Sequence, residues 1–324
     1  MRAPEFWRHD GLPARLLTPL GLAYHGAGVL RRALTTPWRA PVPVICVGNL
    51  VAGGAGKTPV VRWLLKHLAG QGLRPMALMR GYGGSAGGPL RVDPARHDAA
   101  KVGDEALLLA VDAPIWVARD RVDGAKEAVE EGADVLVMDD GFQNPGLQKD
   151  LSFLVVDAAY GFGNGRVMPA GPLRETVASG LARAHAVVLL GDGALDRKLF
   201  GSLPVLRARL KPLDSGLTGQ RVFAFAGIGR PEKFFDTLRN LGAEIAGSET
   251  FPDHKPYSPD TLARLRRAAD AAKARLVTTD KDAMRLGPLL SPDIAIQYVE
   301  LVWESETELL ALLDRLTLSR GDAA

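Results

Sequence analysis

Residues 44–61, VICVGNLVAGGAGKTPVV, constrain the fold of this chain more than any other stretch. The apolar, mostly β-branched run Val42–Val47 passes through a glycine-rich turn into a segment whose Val60, Val61, Leu64, Leu65 and Leu68 recur at helical spacing. The turn therefore joins a buried strand to a helix. Gly53, Gly54 and Gly56 let successive backbone N–H groups point inward, and the helix N-terminus adds partial positive charge, which together make a phosphate cradle. Lys57 offers an ammonium to phosphate oxygens, and the Thr58 hydroxyl is placed for Mg²⁺. Pro59 suits the first helical position, where no N–H is needed. One departure stands out. The pattern GxxxxGK[ST] asks for glycine where this chain has Val51, so the loop, Val51, Ala52, Gly53, Gly54, Ala55, Gly56, Lys57 and Thr58, is a variant of the motif.

From this loop onward, apolar strand candidates alternate with helical patterns at Pro75–Met79, Pro114–Val117, Asp134–Met138, Leu151–Val156 and Ala186–Leu190. That alternation predicts an α/β fold, a P-loop NTPase-like and mostly parallel sheet with helices on both faces. Ligands of such sheets bind beyond the carboxyl ends of the strands, so the polar residues there are the candidates. They are Arg80 in RGYGG, Arg119 and Arg121 in ARDR, and the pair Asp139 and Asp140 ending DVLVMDD. An acidic strand end beside a P-loop has the shape of a magnesium site. Asp104 and Glu105 open a helix at VGDE, and Arg166 and Arg174 lie in the long loop 161–175 as anion-binding candidates. GFGNG in that loop superficially suggests a dinucleotide turn, but no helical pattern follows it.

Near residue 212 the pattern restarts. KPLDSGLTG reads as a linker, and RVFAFAGIGRPEKFF, a helix from about Pro259 to Lys273 and ARLVTTDKDAMRL make a second, smaller α/β unit. The expected division is 1–40, 41–212 and 213–324. His254, beside Asp253 and between two prolines, is the strongest catalytic candidate among the six histidines.

At 324 residues the chain has room for two domains, and 47% hydrophobic residues suffice for their cores. A net charge of +3 without a basic, aromatic-interleaved run argues against a nucleic-acid partner. Cys46, the lone cysteine, sits within the first strand as a small core residue and fits a reducing compartment. Leu16–Leu30 is uncharged and bracketed by Arg15, Arg31 and Arg32. It is shorter than the roughly 20 residues a bilayer span needs, Pro19, Gly21, Gly26 and Gly28 weaken it as a helix, and its flanks do not suit a signal peptide. Two readings remain open for it: a segment lying in a membrane interface, or an ordinary packed N-terminal helix.

VGNLVAGGAGKTP, RGYGG, VGDE, VMDDGFQ, PAGPLRE, AGIGRPEKF, FPDHKPY and VTTDKDAMR, in that order, resemble the tetraacyldisaccharide 4′-kinase family of Gram-negative bacteria. The resemblance implies transfer of the γ-phosphate of ATP, with Mg²⁺, to the 4′-hydroxyl of an acylated glucosamine disaccharide 1-phosphate. It also implies two α/β domains with the active site between them and peripheral contact with the cytoplasmic face of the inner membrane; no obligate protein partner is evident in the sequence. Carried over, it makes residues 51–58 the ATP loop, Asp104 the general base with His254 as its partner, and Lys57, Arg80, Arg121 and Arg174 the phosphate-binding cations. Thr58, Glu105, Asp139 and Asp140 would serve the metal. The competing class is a P-loop ATPase switch of the partitioning or metal-chaperone type, whose loop shares the GGxGKT form but usually carries a lysine where this chain has Ala52.

Overall fold

The computed structural model describes residues 4–193 and 195–321. After a 3₁₀ turn at Glu5–Arg8 come α1 (Leu12–Leu34), β1 (Val44–Gly48), α2 (Lys57–Gly70), β2 (Pro75–Met79), β3 (Leu90–Arg91), α3 (Ala99–Val102) and α4 (Asp104–Ala110). There follow β4 (Ile115–Val117), α5 (Arg121–Glu130), β5 (Val135–Asp139), β6 (Leu151–Asp157), α6 (Val177–Leu181), β7 (Ala186–Leu190) and β8 (Val205–Pro212). The rest is β9 (Arg221–Ala226), α7 (Pro231–Asn240), β10 (Glu244–Thr250), α8 (Pro259–Ala271), β11 (Arg275–Thr279), α9 (Asp280–Leu286), β12 (Ile294–Gln297), β13 (Val299–Trp303) and α10 (Thr307–Gly321).

Nine strands form one sheet in the order β13-β8-β7-β6-β1-β5-β2-β4-β3, parallel except for β3 and β13 at its two edges. Every residue of β1, β2, β5, β6 and β7 is buried, as expected of strands covered on both faces. One face packs against α2, α4 and α10, and the other against α5 and the 162–181 region. α2 buries the five apolar residues whose spacing announced it, and begins at Lys57 behind Gly56, two residues earlier than the sequence suggests. Pro59 is thus the third helical residue, still within the turn whose N–H groups have no partner inside the helix.

The second sheet, β10-β9-β11-β12, is wholly parallel and is faced by α7 on one side and α8 on the other. It lies inside the expected 213–324 unit without filling it. β13 returns to the large sheet, where it pairs antiparallel with β8 from Val299↔Pro212 to Trp303↔Ala208, and Leu309, Leu313 and Leu316 of α10 join the core of that sheet. β8 runs through Pro212, so the stretch that reads as linker starts within a strand.

α1 is a continuous helix through Pro19 and the three glycines. Ala14, Leu17, Thr18, Gly21, His25, Gly28 and Arg32, spaced three or four apart, are its buried or half-buried residues and form one seam. The glycines that weaken the helix in isolation are partly what lets it pack: a Cβ on Gly21 would stand 2.6 Å from the Val167 carbonyl oxygen. Gly26 has open space around it. Opposite the seam, Leu12, Leu16 and Leu34 are each more than 70% exposed, and Leu20, Leu22 and Leu30 are 59–60% exposed. Arg166 holds the seam to the 161–175 loop by donating to Asp10 (2.9 Å) and to the Thr18 hydroxyl (2.6 Å), so its charge is already engaged.

This packing makes the two glycines differ. Gly26→Ala should stabilise the protein by about 0.5–1 kcal/mol through helix propensity, whereas Gly21→Ala should destabilise it by about 1–3 kcal/mol through overpacking. Urea titrations followed by circular dichroism test this, and shifts of the same sign would remove the seam as the reason for Gly21.

Candidate active site

The phosphate loop is held from inside by Asn49, which the sequence reading passes over. Asn49 is fully buried, donates from Nδ2 to the carbonyls of Val51 (2.8 Å) and Gly53 (3.3 Å), and accepts from Lys57 Nζ at 3.3 Å. Gly56 adopts φ +80°, which favours glycine, and a Cβ there would in addition have to displace the Leu190 methyl Cδ2, 2.2 Å away. The departure at Val51 has a structural explanation. Val51 forms a bridge with Leu173, flanked by Ala52 N–H to the Pro172 carbonyl and Arg174 N–H to the Leu50 carbonyl, both 2.7 Å. The start of the loop is thus laced to residues 172–174 as a short ladder, an extended conformation that suits a β-branched residue.

The two aspartates ending β5 part company. Asp140, in the left-handed region at φ 53°, takes a bidentate contact from Arg174 (2.8 and 3.1 Å) and lies 3.5 Å from Lys57 Nζ. Burial opposes its charge, but Lys57 and Arg174 hold its pKa below the usual carboxylate range. Asp139 is 2% exposed, and its Oδ2 accepts from Thr58 at the long distance of 3.5 Å. Its Oδ1 is buried without a hydrogen-bond partner. Burial, then the nearby charge of Glu105, push its pKa up to about 7 against the opposing pull of Lys57. An under-partnered carboxylate beside a hydroxyl and a second carboxylate is a donor set suited to a hard divalent cation, so Thr58, Asp139 and Glu105 fit Mg²⁺.

Asp104, first residue of α4, is 3% exposed. Its carboxylate meets His254 Nδ1 at 3.1 and 3.2 Å, Arg285 Nε at 3.4 Å and Lys281 Nζ at 3.9 Å. All three partners come from the part of the chain that carries the small sheet. Burial raises the Asp104 pKa, but the hydrogen bond from His254 and the charges of Lys281 and Arg285 outweigh it and bring the value below normal. His254 has φ 61°, and its ring stands edge-on to Tyr82 of the RGYGG loop with centroids 5.3 Å apart. Lys281 also reaches Glu105 (3.3 Å) and Asp253 (3.4 Å). Arg285 is fixed by Asp282 and the Gly227 carbonyl, and Asp282 in turn by the Tyr257 hydroxyl at 2.7 Å. Lys281 and Arg285 belong to VTTDKDAMR, a motif quoted from the sequence for its likeness but given no chemical task there.

The arginines differ in readiness. Arg80 is exposed at the end of β2. Arg121 is buried, donates to the Ala118 carbonyl at 2.6 Å and leaves Nε without a hydrogen-bond partner. Burial, then the neighbouring charge of Arg80, lower its pKa to about 10, so it stays cationic at neutral pH. Among the described residues, then, the structure brings together Lys57, Thr58, Asp139, Asp140 and Arg174 around the loop, and Asp104 with His254. Arg80 and Arg121 are mutually close, and Arg166 is turned to α1.

A P-loop facing an acidic strand end, with a carboxylate–histidine pair supplied from two distant regions of the chain, defines a P-loop phosphotransferase. The chain belongs to the tetraacyldisaccharide-1-P 4′-kinase family, whose model matches residues 13–317. It is 56% identical to the tetraacyldisaccharide 4′-kinase of Rhodospirillum centenum, over 99% of this chain and 98% of that one. It is 51% identical to the enzyme of that name from Paramagnetospirillum magneticum, over 98% and 99%. The crystal structure of LpxK from Aquifex aeolicus in complex with ATP shares its fold with a TM-score of 0.76 at 28% identity, covering 94% of this chain and 99% of that chain. The alternative of a P-loop switch gives way to a kinase.

The raised pKa of Asp139 has a stability consequence. In the folded protein its carboxyl keeps a proton up to about pH 7, but in the unfolded chain only to about pH 4. Folding is therefore penalised increasingly as pH rises between those values, and fully above them. Asp139→Asn should raise the melting temperature at pH 8 and change it little at pH 4 in differential scanning calorimetry without divalent ions. Mg²⁺ should stabilise the parent and not the variant. An equal difference at both pH values would mean that burial does not hold this carboxyl neutral.

Proposed function

We propose that this protein transfers the γ-phosphate of ATP to the 4′-hydroxyl of tetraacyldisaccharide 1-phosphate, giving lipid IVA. One observation carries the reading beyond family membership: the Asp104–His254 contact at 3.1 Å joins two regions of the chain beside a nucleotide-phosphate loop. A kinase needs that part for its acceptor, whereas a nucleotide switch has no evident use for it.

In this reading the backbone of residues 51–58 and Lys57 hold the ATP phosphates. Arg80, Arg121 and Arg174 add charge where the transferring group develops it, the largest catalytic effect available when the protein itself makes no bond. Asp140 aligns Lys57 with Arg174. Asp104 accepts the proton of the acceptor hydroxyl, and His254, bonded to it through Nδ1, orients the carboxylate. Asp253 lies 3.6 Å from Nε2 on the other edge of the ring. Because the cations around Asp104 keep it ionised, it is competent as a base at neutral pH, and its weak basicity suits a transition state in which the attacking hydroxyl has formed little bond. Held by Thr58, Asp139 and Glu105, Mg²⁺ would offset the negative charge of the phosphates.

Acyl chains would keep such an acceptor in a bilayer. Among the described residues no helix is long and apolar enough to cross a membrane. The exposed leucine face of α1, with Arg15 and Arg31 beside it, supports docking at the membrane surface. For this enzyme that surface would be the cytoplasmic face of the inner membrane.

Incubation with ATP, Mg²⁺ and acylated disaccharide 1-phosphate should add one phosphate to the acceptor by mass spectrometry, and ATP loss without a phosphorylated lipid would overturn the reading. Asp104→Ala should lower kcat by about 10²–10⁴-fold with little change in the KM for ATP. Combined with His254→Ala it should cost little more than either alone, as for groups acting as one unit. Additive losses would reduce His254 to a shaper of its loop.

A further inference from the structure

One segment separates the exposed helix from the phosphate loop and touches both. On its outer side, residues 164–179 receive the seam of α1: Gly21 against the Val167 carbonyl, His25 Nε2 3.5 Å from the Thr176 hydroxyl, and Arg32 donating to the Ser179 hydroxyl at 3.2 Å and pairing with Glu175 at 3.4 Å. On its inner side the same segment is laced through residues 172–174 to Leu50, Val51 and Ala52. The side chains continue the connection. Glu175, 1% exposed, accepts from Gln143 Nε2 at 3.2 Å. Gln143 also donates to the Asn49 carbonyl at 2.9 Å and accepts from Arg174 at 3.3 Å, and Arg174 grips Asp140 beside Lys57. Five side chains thus link the last turn of α1 to the phosphate-binding ammonium.

We propose that Arg32 is a positioning residue of the nucleotide site, and that residues 164–179 couple docking of α1 on a lipid surface to ATP binding. The proposal rests on the docking reading given above. Its physical basis is an imbalance in how α1 is held. Only Ala14 and Gly21 of its 23 residues are fully buried, while most of its large apolar side chains face water, so the helix is weakly fixed until that face is covered. Covering it holds Arg32 against Glu175, and Glu175 in turn fixes Gln143, which accepts from Arg174. Arg183 also pairs with Glu175, so loss of Arg32 leaves no buried charge unpaired and the fold survives its replacement.

The test is thermodynamic and uses the full chain with vesicles of phosphatidylethanolamine and phosphatidylglycerol. Binding of a non-hydrolysable ATP analogue with Mg²⁺ is measured by calorimetry with and without vesicles, and vesicle binding by sedimentation with and without the analogue. For the parent protein, vesicles should tighten analogue binding about fivefold, and the analogue should tighten vesicle binding by the same factor, since coupling between two sites is reciprocal. Arg32→Gln should sediment with vesicles within twofold of the parent yet show less than a twofold shift in analogue affinity, and Arg32→Lys should recover most of the shift. An undiminished shift in Arg32→Gln, or a parent that sediments with no change in analogue affinity, would overturn the coupling and leave docking standing. A parent protein that stays in the supernatant would overturn docking and the coupling with it.

Discussion

Parallel strands impose a condition on which this site depends: all their carboxyl ends lie at one edge of the sheet. β1, β2, β4 and β5 run the same way side by side, so the residues that follow them emerge together. They are Asn49 with the phosphate loop, Arg80, Arg121 and Asp139 with Asp140. The chain needs no long-range signal to gather these groups. Once apolar runs are buried in register, their polar successors are neighbours, and their charges must then be balanced locally. The balance is visible in the pKa shifts, where Asp140 between two cations is held below the usual carboxylate range and Asp139, buried without one in contact, is raised to about 7.

What the parallel sheet cannot supply is the partner for Asp104. That comes from the second sheet, whose contribution is a compact set of charges: His254, Lys281 and Arg285 on Asp104, and Lys281 again on Glu105. Of the three described residues other than glycine with left-handed backbones, two are Asp140 and His254. Such conformations cost on the order of 1–3 kcal/mol and persist where the surroundings over-determine them. Arg174 and Lys57 do so for Asp140, and Asp104 and Tyr82 for His254.

Much of this is legible in the sequence, for a physical reason. Strands buried on both faces must be written as unbroken apolar runs, and β2 and β7 lie where those runs lie. The parts that escape notice are those whose partners are distant in sequence. β8 is half exposed and finds its neighbour β13 some ninety residues later, across the whole second sheet. Val51 contradicts the phosphate-loop pattern until Leu173 is placed beside it. Gly21 lowers helix propensity, and only the Val167 carbonyl shows why a side chain would be worse. Asn49 and Lys281 are ordinary polar residues in sequence. Their importance is set by what surrounds them, which no local pattern records.

The pairing of Val299 with Pro212 carries a mechanical meaning. The second sheet enters and leaves the first through two adjacent antiparallel strands, which makes it topologically an insertion in the turn of a hairpin. Both of its covalent tethers therefore leave the large sheet side by side. Neighbouring connections of this kind fix where the body is attached and leave its orientation to be set elsewhere. Where the body rests against α4 is then left to noncovalent contacts, among them those of His254, Lys281 and Arg285 with Asp104.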